Sequence, residues 1–249
     1  MFRKISEGKT KVIYETQDSD RVLIKFKDDI TALDGEKHDI LPGKGEINAT
    51  ISAALFQELQ RRGVSTHFIS LEPSADMMRA KRLQMIPVEV VCRNLAAGHF
   101  LSRFPMFKQG EKLRIPVVEF YLKNDQLHDP MLVEDHLPAL GLASREETEK
   151  MKEITRKANK ILTDLFLKKG LTLVDFKVEF GRDSKQEITL GDELNCDSMR
   201  LWEINTGEAL DKDVYRKGGS LEDVKKVYEE SLCRVVGKKP QSSSPQMTG

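Results

Sequence analysis

Read as a β-strand, Leu171 to Phe180 sorts its side chains onto two faces. Thr172, Val174, Phe176, Val178 and Phe180 share one face; Leu171, Leu173, Asp175, Lys177 and Glu179 share the other. Three charged groups on one face suit either a solvent-facing edge with a salt-bridge ladder or a charged site. Glu187 to Asp192 reads as the neighbouring strand. Paired as a hairpin, the two strands bring Asp192 toward Glu179. Two carboxylates beside a lysine suit a Mg2+-phosphate site, because magnesium takes few protein carboxylates and fills its octahedron with phosphate oxygens and water.

Other polar groups sit at strand ends and loops. Gly8-Lys9-Thr10-Lys11 combines a glycine, which lets backbone N–H groups approach a phosphate, with two lysines that neutralise it. It lacks P-loop spacing and the following helix, so a surface turn with solvated lysines competes. Phe26 to Lys37 reads as a strand and a polar loop, a lid or a plain connection, and Lys44-Gly45-Glu46-Ile47-Asn48 leads into a helix. Arg93-Asn94 ends a strand, where a guanidinium fork pairs a phosphate or a structural carboxylate. Asp129-Pro130 and Asp197 to Trp202 are further polar loop clusters. None of the five histidines has a partner at metal-ligand spacing, so all five read as surface or satisfied core residues.

The elements that must hold these groups follow from periodicity. Lys11 to Glu15 and Arg21 to Lys27 read as a hairpin, with Val22, Ile24 and Phe26 on its apolar face. Ile47 to Arg62 has helical spacing and Gly63 to end it. Val64 to Ile69, Val88 to Cys92 (opened by Pro87) and Val117 to Leu122 read as strands. Ser144-Arg145-Glu146-Glu147 has capping-box spacing and starts a long helix ended by Gly170. Leu221 to Val236 is a last helix, and the segment after it has no apolar face and is expected to fray. A boundary near Leu83 would divide a strand-rich lobe (1–83) from a larger α/β lobe (84–236), with 237–249 as a tail.

Bulk composition narrows the class. The 249 residues are 39% hydrophobic and 32% charged, as in a folded globular chain. Forty basic and forty acidic residues cancel, so there is no overall pull toward nucleic acid or a membrane. The N-terminus is too polar for a signal peptide, and no apolar run reaches spanning length. Three scattered cysteines, Cys92, Cys196 and Cys233, read as reduced thiols, which favours a cytoplasmic setting.

Taken in order, these segments resemble the SAICAR synthetase family. The pieces that carry the resemblance are Gly8 to Lys11, Phe26 to Gly35, Lys44 to Asn48, Thr66-His67-Phe68, Pro87 to Asn94, Asp129-Pro130, Asp175 to Gly181, Asp192-Glu193, Arg200-Leu201-Trp202 and Leu210-Asp211-Lys212-Asp213. The resemblance implies a two-lobed α+β fold, ATP-grasp-like and distantly similar to protein kinases. It also implies a reaction: ATP, the imidazole carboxylate ribonucleotide CAIR and L-aspartate give SAICAR, ADP and phosphate through an acyl phosphate.

Roles follow at matched positions only. Lys9 and Lys11 would contact ATP phosphates, and Glu179 and Asp192 would hold Mg2+. Glu89 and Asp129 would border CAIR and a second Mg2+. Arg93, Lys177 and Arg200 would hold CAIR, with Lys177 at the reaction centre. Asp34 and Lys37 would act from the loop that closes over the substrates. The partners implied are small molecules, and a homodimer stays open. The chain departs from the family's usual Gly-Ser at Gly98-His99, from its Ser-Pro-Asp-Thr at Asn195 to Ser198, and from its Asp at Glu203. A small-molecule or protein kinase and a non-catalytic nucleotide-binding or scaffold protein are the rival classes. The chain lacks the His-Arg-Asp catalytic loop and the glycine-rich loop of kinases.

Overall fold

The computed structural model describes residues 2–32 and 37–237. Asp34 and the segment from residue 238 onward, including nearly all of the expected tail, lie outside the described residues.

Three strands, β1 (Lys4–Glu7), β2 (Lys11–Glu15) and β3 (Arg21–Phe26), form a meander. β4 (Asp29–Ala32) and β5 (Lys37–Ile40) make a separate ribbon. Helix α1 (Lys44–Arg61) follows. Then β6 (Phe68–Leu71) and β7 (Met77–Lys81) complete a five-stranded sheet ordered β1-β2-β3-β7-β6. The larger sheet starts at β8 (Gln84–Leu95). After the short α2 (His99–Arg103) come β9 (Lys112–Leu122), β10 (Met131–Leu132), α3 (His136–Ala139) and α4 (Arg145–Leu167). β11 (Leu171–Arg182), β12 (Ile188–Gly191) and β13 (Met199–Glu203) finish it, and α5 (Asp213–Arg216) and α6 (Leu221–Val236) follow. The order is β10-β9-β8-β11-β12, with β13 also on β11. All its ladders are antiparallel, so the helices cover the sheet rather than crossing between parallel strands.

Local chemistry accounts for the element ends. Ser144 accepts from Glu147 N while the Glu147 carboxylate accepts from Ser144 N, which completes the expected capping box. α4 stops at Leu167, one turn before Gly170 (φ 73°). α1 begins at Lys44, earlier than its apolar spacing suggests, behind Gly43 in the left-handed region. β6 starts at Phe68, later than expected, because the chain before it bridges β12 instead: His67 N donates to the Leu190 carbonyl and Leu190 N donates to the Ser65 carbonyl, on either side of Thr66. Pro87 lies inside β8 rather than at its start. The β8–β11 register shifts between Glu179 and Gly181, an irregularity that accommodates a residue with no N–H.

One continuous apolar core runs through both sheets, from Ile24 and Phe26 past Leu55 and Phe56 to Val90, Phe176, Val178 and Phe180. In β3 the inner residues Val22, Ile24 and Phe26 are buried as the alternation requires, and Leu23 is buried too because the strand is covered on both faces.

Candidate active site

The charged face of β11 is no solvent-facing edge. The strand lies inside the sheet, with β8 on one side and β12 and β13 on the other. Asp175 and Glu179 are buried at 4% and 2% exposure. Glu179 stands opposite Glu89 on β8 and opposite Gly191 on β12, and Asp192 follows Gly191 with φ 61°. The expected hairpin therefore forms, and its two carboxylates converge on one lysine. Lys177 Nζ lies 2.9 Å from Glu89, 3.0 Å from Glu179 and 3.8 Å from Asp192.

Two more lysines close the cluster. Lys11, at the start of β2, reaches Asp192 at 2.6 Å and Glu193 at 3.0 Å. Lys123, just past β9, reaches Glu179 at 2.6 Å. Sequence reading had Lys11 but missed Lys123, whose only signal was its place at the end of a strand. The groups set each other's charge. Burial pushes the Asp192 carboxyl up, but Lys11, Lys177 and Lys123 outweigh it and hold it well below the usual range. Burial draws Lys177 down, yet Glu179, Asp192 and Glu89 raise it well above an ordinary lysine.

This cluster borders a cavity of about 350 Å³ between the two sheets. Ile13, Val22, Ile24, Leu83 and Met85 give it apolar walls, and Lys11, Lys123, Glu179 and Asp192 line its polar end. Such a shape takes a flat apolar group with a charged tail. Lys9 follows Gly8, which lines the cavity, and is paired with Asp125 at 2.8 Å. His67 lines the same wall and departs from the sequence reading: it is buried, its Nε2 has no partner among the described residues, and burial lowers its pKa to about 4.

A second cavity of about 170 Å³ adjoins through Glu89 and Lys177, and Arg93, Asp175, Asp197, Arg200 and Arg216 also line it. Arg93 is clamped by Glu119 at 2.7 Å and Asp175 at 3.0 Å, and it donates to the Tyr121 hydroxyl at 3.2 Å. Arg200 bonds Asp175 at 2.8 Å and Asp213 at 3.1 Å. Gly98 lets this arginine lie on the backbone: a Cβ there would sit 2.7 Å from Arg200 Nη2, and its φ of 55° disfavours other residues. His99 is exposed at the start of α2.

The remaining expected residues are placed apart from the lysine cluster. Asp129 has φ 46° and accepts from Asn124 N at 2.7 Å, so in this structure its carboxylate holds the turn after β9. Lys37 donates to the Tyr215 carbonyl at 3.0 Å and lies 3.9 Å over the Tyr215 ring, which ties the β4–β5 ribbon to α5. Asp34 is outside the described residues. A hollow of about 570 Å³ between α4 and the start of β9 contains none of the cluster.

Mg2+ fits the cleft on its donor set. Glu179 and Asp192 supply hard carboxylate oxygens around a shared cation position. Among the described residues no group of three or more His, Cys, Asp or Glu forms a protein-only metal cage. Two carboxylates leave the rest of an octahedral shell to phosphate oxygens and water.

The SAICAR synthetase family profile matches residues 4–235. The chain is 52% identical to the phosphoribosylaminoimidazole-succinocarboxamide synthase of Sulfurisphaera tokodaii, over 94% of this chain and 98% of that protein. It is also 52% identical to that of Methanocaldococcus jannaschii, over 84% and 86% of the two chains. A solved SAICAR synthetase in complex with ADP superposes with a TM-score of 0.89 at 43% identity, covering 95% of this chain and 99% of the other. The synthase from Ehrlichia chaffeensis gives 0.90 at 41%, covering 96% and 100%. A charged cleft between two antiparallel sheets, with lysines facing paired carboxylates, defines a two-lobed α+β enzyme acting on small molecules. The chain belongs to the SAICAR synthetase family.

Proposed function

We propose that this enzyme joins CAIR to L-aspartate at the expense of ATP, giving SAICAR, ADP and phosphate in purine biosynthesis. The observation that carries the reading is the position of Lys177. Its ammonium touches Glu179, which lines the larger cavity, while Lys177 itself lines the smaller one. A group transferred from a nucleotide in the first cavity to a ligand in the second passes this lysine.

The chemistry explains why two cavities must meet. An ionised carboxylate resists an amine because oxide would have to leave. Phosphorylation of the CAIR carboxylate by the γ-phosphoryl group gives an acyl phosphate, whose phosphate leaves readily. The aspartate amine then forms the C–N bond as the C–O bond breaks, and the amine gives up a proton. Lys11, Lys123 and Lys177 offset charge on the phosphates through this sequence. Glu179 and Asp192 would hold Mg2+, which neutralises developing phosphate charge when bound. Glu89 borders the CAIR carboxylate. Arg93 and Arg200 present a rigid cationic wall to the CAIR phosphate, fixed by Glu119, Asp175 and Asp213. Lys9 beside Gly8, Asp129 at the turn after β9, Lys37 of the ribbon, and Asp34, which lies outside the described residues, complete the proposed substrate contacts.

A boundary near Leu83 puts one sheet in each lobe, with ATP between them. A cytoplasmic setting fits the buried free thiols of Cys92 and Cys196, and no helix among the described residues is long and apolar enough to cross a membrane. The test is phosphate release measured with each substrate omitted. Release that needs ATP, CAIR and aspartate together supports the ligase. Fast release without aspartate would mark a phosphotransferase or an ATPase.

A further inference from the structure

The β4–β5 ribbon pairs with no other strand among the described residues. A lone two-stranded ribbon is marginal in water, so its position depends on what it packs against. Ile30 and Ala32 of β4 are buried in the core. β5 is held by one residue of α5. Tyr215 is fully buried and grips the strand at two points. Its hydroxyl donates to Asp39 Oδ2 at 2.7 Å, and its carbonyl accepts from Lys37 Nζ at 3.0 Å. The Lys37 ammonium also lies 3.9 Å from the centre of the Tyr215 ring, a cation–π contact. Lys37 and Asp39 are two apart on a strand and so share a face. That face is the half-buried one, while His38 and Ile40 are exposed. Lys37 has three N–H donors, so the bond to Tyr215 aims the ammonium without exhausting it.

The same short helix meets the smaller cavity. Arg216, next in the chain after Tyr215, lines that cavity together with Arg200. Asp213 binds both arginines, accepting from Arg200 Nε at 3.1 Å and from Arg216 Nη1 at 2.6 Å. Asp213 N donates to the Asp211 carboxylate at 2.6 Å, which fixes the start of the helix. α5 therefore touches the arginine wall through Asp213 and the ribbon through Tyr215. With four residues it is about one helical turn, so its two contacts shift together.

We propose that Tyr215 is a positioning residue: it fixes Lys37 of the ribbon relative to the arginine wall, so that a ligand gripped by Arg200 and Arg216 also steadies the ribbon. This rests on the ligase reading above, with CAIR as that ligand. The experiment follows hydrogen–deuterium exchange of residues 37–40 with and without CAIR in wild type, Tyr215→Phe and Asp39→Asn. Steady-state kinetics, ADP binding and thermal unfolding accompany it. Tyr215→Phe keeps a ring over Lys37 and removes only the hydroxyl. CAIR should slow ribbon exchange in wild type, and the slowing should largely vanish in both variants. Their kcat should fall roughly 10-fold, the scale of a lost hydrogen bond to a charged group, while ADP affinity stays within about twofold. The double variant should lose little more than either single one, because both remove the same bond. A purely structural tyrosine would lower thermal stability and leave the CAIR-dependent slowing intact, which would overturn the proposal. Unchanged exchange and kinetics in Tyr215→Phe would overturn it too, as would loss of fold in both variants. Wild-type enzyme that neither binds nor turns over CAIR would instead remove the ligase reading, and this proposal with it.

Discussion

Lys11 of the small sheet and Asp192 of the large sheet meet at 2.6 Å, so one ion pair spans the cleft between the two sheets. Lys11 is 15% exposed at its side chain and Asp192 12%. Neither charge is stable there alone, because breaking a buried pair leaves an uncompensated ion. On the proposed function, a nucleotide phosphate and its cation would replace this pairing without leaving either group bare. Lys11→Met should therefore raise the ATP requirement and reduce kcat/KM by roughly 100-fold or more. Unchanged ATP dependence in a folded variant would sink the assignment.

Glu179 and Asp192 should act as a unit. Glu179→Gln and Asp192→Asn should keep the fold, reduce turnover by roughly 100- to 1000-fold, and raise the Mg2+ concentration for half-maximal rate. A purely structural pair held by Lys177 would show the opposite pattern: lower thermal stability and an unaltered Mg2+ curve. The two curves, measured side by side, decide between them.

Lys177→Ala should lose far more activity than Lys168→Ala. Lys177 contacts Glu89 and Glu179 inside the cleft. Lys168 is the exposed C-cap of α4. Equal losses in two folded variants would count against the proposed role of Lys177.

Asp211 provides a pH test of the frame behind the site. It is fully buried and accepts from Leu201 N at 2.9 Å and Asp213 N at 2.6 Å. Burial, aided by Asp213, raises its pKa from 3.8 to about 7, although the two N–H groups and Arg216 oppose the shift. An acid with a raised folded pKa binds its proton more tightly when native. Its contribution therefore favours the fold at low pH and is lost as pH climbs between about 4 and 7. Asparagine does not titrate. The stability of wild type relative to Asp211→Asn should decline across that window, and a pH-independent difference would contradict the reading.

Residue order alone carried the family, the α+β class and the gathering of several charged residues at the candidate cleft. Alternation placed Asp175, Lys177 and Glu179 together on β11, because a strand's period is local and needs no partner. The hairpin followed from two adjacent strands, and with it the approach of Asp192 to Glu179. Capping at Ser144 was equally legible, since its bonds span three residues. Tertiary structure decided what those groups face. Whether the charged side of β11 meets water or protein depends also on β8, which pairs with it from a distant part of the chain, and on β9 beyond it. Lys123 joins Glu179 across 56 residues, and Lys11 joins Asp192 across 181, pairings that no local pattern encodes.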